Sequence, residues 1–142
     1  MSDLKATGKE RQALISAAMT QATNAHQLGF FIESIAIVDA LISDRLESIC
    51  SYSGFLEVKR MPIGAIRSRL EQQNVRLRDD ALLRDLASWV PDRNLVIHGL
   101  VKPEFHDARH TWEARVEFAA DVSAVGLKLM KRVFAEAKWH KH

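Results

Sequence analysis

From Phe30 to about Tyr52 the apolar residues Ile35, Val38, Ile42, Leu46 and Ile49 return at steps of three and four, which places them on one stripe of a helix. A weaker pattern of the same period runs over residues 9 to 28, with Leu14, Ala17 or Ala18, Ala25 and Leu28 on its apolar side and Gln21 as an interruption. Gly29, between the two, reads as a stop or a tight joint. Pro62 suits the first turn of a third helix through about Gln72, burying Ile63, Ile66 and Leu70. Asp79 or Asp80 is placed to cap a fourth, in which Leu82, Leu83, Leu86 and Trp89 repeat at helical spacing. Pro91 then either opens a new helix or kinks this one, and residues 92 to 101 continue helical.

Two stretches have no such period. "SYSGFLEVKRMP" gathers small and turn-forming residues, so it reads as a loop anchored by Phe55 and Leu56, and "KPEFHDARH" reads as a polar loop broken by Pro103. After it, Trp112, Ala114, Val116 and Phe118 alternate with Thr111, Glu113, Arg115 and Glu117, the pattern of a strand. From Ala119 to Trp139 the positions Val122, Val125, Leu129, Met130 and Val133 restore a helix. The pattern predicts an all-α fold: a single helical domain over residues 1–142, built as an up-and-down bundle of four to five helices with short loops between antiparallel neighbours.

Composition narrows the class without naming a function. A chain of 142 residues with 47% hydrophobic and 27% charged residues has enough apolar material for its own core. The single Cys50 forms no intramolecular disulfide and reads as a small buried hydrophobe, which suits a reducing compartment. No apolar run approaches the roughly 18 residues needed to cross a bilayer, and the start "MSDLKATGKERQ" is too polar for a signal peptide, so the expected location is cytoplasmic.

Charge is nearly balanced overall but unevenly spread. Residues 59 to 78 set Lys59, Arg60, Arg67, Arg69, Arg76 and Arg78 against Glu71 alone, a segment suited either to attracting phosphates or simply to solvating a helix face and a loop. There is no phosphate-cradling glycine loop, no paired-cysteine metal pattern and no G-x-S-x-G elbow. His106 and His110, with Asp107 between them and Glu113 beyond, have a spacing that could share a metal only on a helix, and the segment reads as a loop surface. His26 reads as a structural or exposed histidine, and His140 and His142 as a frayed terminus. No metal and no cofactor is expected.

"RNLVIHGL", residues 93 to 100, is the stretch with candidate chemistry. If Pro91 opens a helix, Arg93 falls in the first turn, where the amides and the guanidinium together would seat an anion such as phosphate. His98 follows Asn94 by four residues and shares its face, whereas Arg93 stands about 140° round the helix from His98. One helix is therefore a thin site. Two copies across a twofold axis would supply two guanidiniums, two imidazoles and two amides, a set suited to RNA cleavage by the neighbouring 2′-hydroxyl. The alternative is a core histidine on the polar edge of a buried helix.

An arginine, a polar residue and a histidine four to six positions on resemble the signature of the HEPN superfamily, and "RNLVIH" has its shortest form. "FFIESIAIVDALISDRL" is similar to the long apolar helix of that superfamily with an acid in mid-helix, here Asp39. "MPIGAIRSRL" looks like the short helix that precedes the signature in several branches, among them the mannitol operon repressor-like proteins. The resemblance covers roughly residues 9 to 135. It implies a bundle that dimerises through the signature helix and, in active members, a metal-independent endoribonuclease of toxin or defence type leaving 2′,3′-cyclic phosphate and 5′-hydroxyl ends. Arg93 would then hold the scissile phosphate, His98 act as general acid or base, Asn94 orient the phosphate or the 2′-hydroxyl, and Asp39 orient Arg93 or His98. Arg67, Arg69, Arg76 and Arg78 would bind the RNA, and a protein antitoxin would be a further partner. Toxins paired with a nucleotidyltransferase antitoxin often carry a tyrosine two places after the histidine; here that place is Leu100. Two other readings stand beside this one. The first is an inactive dimer of the same fold acting as regulator or adaptor. The second is a DNA-binding repressor using the basic segment, although no helix-turn-helix spacing is evident.

Overall fold

Thr7 starts the first helix with a reciprocal cap: its hydroxyl accepts the Glu10 N–H at 3.2 Å while the Glu10 carboxylate accepts the Thr7 N–H at 3.1 Å. In this computed structural model, which describes residues 7–54, 58–105 and 111–141, five helices follow: α1 (Gly8–Gln27), α2 (Phe31–Tyr52), α3 (Ile63–Gln72), α4 (Leu82–Gly99) and α5 (Trp112–Lys141). No strand occurs among the described residues.

α1 and α2 form an antiparallel hairpin turned at Gly29, whose φ of 85° lies in the left-handed region where a side chain would be strained. Near that turn Ser34 Oγ donates to the Ala22 carbonyl at 2.8 Å, and at the open end Arg11 pairs with Asp44 at 2.8 Å. α2 and α5 run side by side in the same direction and share the largest contact in the molecule. Val38 packs beside Gly126, and one helical stretch further on Arg45 lies over the Phe134 ring at 5.7 Å. α4 runs the other way along α5, so that Asp79 and Asp85 meet Arg132 at one end while Leu100 and Lys102 meet Arg115 at the other. α1, α2, α4 and α5 therefore alternate up and down, with short α3 as a crosspiece between α2 and α4. One hydrophobic core draws on all five.

The strongest apolar stripes lie where the pattern places them. Ile35, Val38, Ile42, Leu46 and Ile49 of α2 and Ile63, Ile66 and Leu70 of α3 are all fully buried. Cys50 is buried as well. Other expectations are overturned. The inward face of α1 is Ile15, Ala22 and Ala25; Ala25 is where the pattern puts it, but Leu14 and Leu28 are 66% and 69% exposed. The fourth helix is not capped by Asp79 or Asp80. Its N-cap is Ala81, without a side-chain hydrogen bond, and Asp79 instead accepts from Arg132.

The largest correction is at residues 112–118, which are the first turns of α5 and not a strand. Arg115 is only 8% exposed and occupies a core-facing position of the stripe that continues through Phe118, Val122, Gly126 and Leu129. Its guanidinium donates to the carbonyls of Leu100 and Lys102 at 2.9 and 2.7 Å and lies over the Phe105 ring at 4.7 Å. A cation satisfied in this way behaves as a core residue, although in sequence it imitates the solvent-facing position of a strand. α5 also runs on to Lys141, so His140 is not frayed: its Nε2 lies 3.2 Å from Oε2 of the buried Glu136. Phe55 and Leu56, the expected loop anchors, lie outside the described residues, as does His142. Among the described residues no helix is long and apolar enough to cross a membrane.

Candidate functional site

The site is built on a glycine. A Cβ at Gly126 of α5 would stand 2.7 Å from Trp89 Cζ2, so the absence of a side chain there is what lets the Trp89 indole lie against the helix backbone. Trp89 Nε1 donates to the Val122 carbonyl at 2.9 Å, which fixes the ring on its long axis. Arg93 follows Trp89 by one helical turn and so shares its face, and its guanidinium carbon sits 5.9 Å from the centre of that ring.

From this platform Arg93 reaches α2. Nη1 donates to Asp39 Oδ1 at 2.6 Å, while Nε and Nη2 donate to Asn94 Oδ1 at 3.2 and 2.8 Å. The arginine side chain is 12% exposed and that of Asp39 39%, so the cation is covered and the acid faces outward. A half-exposed ion pair of this kind contributes little to stability, about 1 kcal/mol or less. Its main effect is to fix the guanidinium in one orientation. A guanidinium has five N–H donors; three are engaged among the described residues, and one on each terminal nitrogen has no partner among them.

Pro91 lies inside α4, well after its start at Leu82. The expected anion seat at a helix N-terminus is therefore not formed. Arg93 lies in the second half of α4, where the macrodipole does not oppose a cation. His98 and Asn94 are exposed on the outer face of α4, and His98 has no hydrogen-bond partner among the described residues. The structure thus brings Asp39, Arg93 and Asn94 together and leaves His98 one turn away, facing outward.

The four expected RNA-binding arginines lie on α3 and in the link that follows it. Arg67 pairs with Glu71 on α3 at 2.8 Å, and Arg69 is half-buried in the last turn of the same helix. Arg76 and Arg78 are exposed in the link to α4. Arg78 borders a hollow beside Lys138 and Trp139, roughly 20 Å along α5 from Gly126 at 1.5 Å per residue, and so does not converge on Arg93. Among the described residues no group of three potential metal ligands occurs. His106, Asp107 and His110 lie outside them, and Glu113 is exposed at the start of α5. His26 is structural, with Nδ1 2.8 Å from Ser123 Oγ and its ring edge-on to Phe31.

A second polar cluster carries no sequence motif. Arg132 of α5 holds Asp79 through Nε at 2.7 Å and Nη2 at 3.0 Å and Asp85 through Nη1 at 2.8 Å. The hydrogen bond from Arg132 holds both carboxyls below the usual aspartate value, against the opposing effect of partial burial, and Asp79 in turn raises the arginine. Glu136 accepts the Asp79 backbone N–H. These contacts clamp the start of α4 to the end of α5 and so set the lengthwise position of Arg93. No family model, no curated protein and no solved structure matches the chain.

Proposed function

We propose that the chain is a HEPN-like, metal-independent endoribonuclease of toxin or defence type that works as a homodimer. The observation that supports this reading is the oriented arginine: Asp39 and Asn94 hold Arg93 with two N–H groups left over, on the helix that also presents His98 to solvent. Those two donors suit the non-bridging oxygens of a phosphodiester, where negative charge gathers as a phosphorane forms.

In the proposed reaction an imidazole takes the proton of the 2′-hydroxyl, O2′ bonds to phosphorus, and the bond from phosphorus to O5′ breaks. The departing O5′ receives a proton from a second imidazole, leaving a 2′,3′-cyclic phosphate and a 5′-hydroxyl. Among the described residues His98 is the one histidine on this face of α4, and a second copy of the chain would supply the other imidazole. The outer face of α4 fits that requirement. Asn94 and His98 form an exposed polar stripe, with Ile97 and Val101 exposed beside it, 82% in the case of Val101. A protein antitoxin that covered this stripe would block both the dimer and the site.

The test compares wild-type protein with His98→Ala on single-stranded RNA in EDTA. Loss of an acid–base group should lower the rate by roughly 10²–10⁴-fold, with cyclic-phosphate ends in the wild-type products. Equal background cleavage by both proteins would remove the enzyme reading. It would favour an inactive regulator or adaptor of the same fold, a reading that also suits the lack of a partner for His98 among the described residues.

A further inference from the structure

The end of the bundle where α5 finishes carries two adjoining hollows. The first, of about 780 Å³, is bordered by Arg78, Ala135, Lys138, Trp139 and His140. The second, of about 340 Å³, shares Ala135 and Lys138 with it and is bordered further by Tyr52 and Lys141. Trp139, bordering the first hollow, and Tyr52, bordering the second, are exposed by 48% and 46%; the partly buried Phe134, under Arg45, also lines the second. Between and beside them stand the exposed cations Arg78, Lys138 and Lys141.

The acids nearby are mostly engaged elsewhere. Glu136 is buried, with one oxygen on the Asp79 amide and the other against His140 Nε2. Asp79 is held by Arg132, and Asp44 by Arg11 and Arg45. Asp80 is the exposed acid of the neighbouring turn. What faces solvent is therefore the Trp139 and Tyr52 rings with three positive charges beside them, over a floor that Ile15, Phe134 and Ala137 make apolar in the second hollow.

We infer that this end of the bundle is a single-stranded nucleic-acid site, in which bases stack on Trp139 and Tyr52 while Arg78, Lys138 and Lys141 take the intervening phosphates. The chemistry is that of a sequence-tolerant groove: aromatic faces accept any base, and the backbone is followed by charge. A duplex hides its base faces and cannot use the two rings, so the site selects single strands. An acidic peptide would meet the cations but leave both rings idle. That the groove feeds the Arg93 and His98 site rests on the ribonuclease reading; binding itself does not.

The experiment keeps the two apart by using a single-stranded DNA of about twelve nucleotides, which lacks the 2′-hydroxyl and cannot be cut by the proposed reaction. In Trp112→Phe protein the exposed indole that remains is Trp139, since Trp89 is buried, and its fluorescence is read during titration. Saturable quenching is expected, with affinity falling as salt rises with a logarithmic slope of about −2 for three phosphates. Trp139→Ala, followed by anisotropy of labelled strand, should bind roughly tenfold more weakly, and Lys138→Gln should reduce the salt slope, with helical circular dichroism unchanged in both. Absence of quenching, or Trp139→Ala binding as tightly as the parent, overturns the proposal. So does polyglutamate that displaces the strand while a duplex of equal length binds as well, which would mark the surface as a general anion patch.

Discussion

At Gly126 two effects of one added carbon oppose each other. Alanine is the better helix former by about 1 kcal/mol, yet its Cβ would meet Trp89 Cζ2 at 2.7 Å and Val38 Cγ1 at 3.3 Å. The indole is tethered through Nε1 to Val122, so it cannot swing aside without breaking that hydrogen bond. Overpacking of this kind costs roughly 1–3 kcal/mol. Gly126→Ala is accordingly expected to lose up to about 2 kcal/mol in urea denaturation at an unchanged m-value, and a variant more stable than the parent by the full helix gain would show that the ring is not fixed. Because Trp89 also lies under Arg93, the variant should disturb the guanidinium without touching it. The sequence names Arg93, Asn94 and His98 as candidates, but Gly126 carries no motif, and a glycine in mid-helix is legible only once its neighbour across the contact is known.

Between elements, the Arg132 cluster is the tie that holds α4 against α5. Asp79 has its folded-state pKa lowered from the ordinary value of 3.8, chiefly by the hydrogen bond from Arg132. A carboxyl lowered on folding adds stability that is present above its unfolded value and is lost as pH falls through the folded value. Asp79→Asn should therefore melt at a lower temperature than the parent at pH 7, with the difference shrinking as pH falls below 3.8. A constant difference between pH 7 and pH 2 would show that the ionised carboxylate is not what matters. Helices whose stripes are purely aliphatic, α2 and α3, could be read directly from their period. The start of α5 could not, because Arg115 finds its partners in the α4–α5 connection, and nothing local announces them. Pro91 was ambiguous for a different reason: a proline ring fits the first turn of a helix or, at a cost, its interior, and only packing along the whole of α4 chooses. The link between Asp39 and Arg93, 54 positions apart, was suggested by family resemblance and not by spacing.

For the molecule as a whole, the two ends of the bundle differ in kind. One gathers the exposed apolar residues Phe30, Ile32 and Trp112 around a hollow of about 360 Å³, and the other gathers cations and aromatic rings. The outer stripe of α4, from Asn94 to Val101, lies toward the apolar end, whose hollow Leu100 borders, so a dimer made through it leaves the cationic end open. Light scattering at micromolar concentration should give a mass twice the 16.0 kDa of the chain. A monomer would leave each His98 without its counterpart and sink the shared-site mechanism. The closeness of α4 and α5 also has a bearing on ancestry. A lineage that replaced Gly126 by a larger residue would have to shrink position 89 in compensation, and with the indole would go the floor beneath Arg93. The identities at 89 and 126, read as a pair, should therefore tell which descendants of this fold retained the arginine's task and which let it lapse, even where the arginine itself survives.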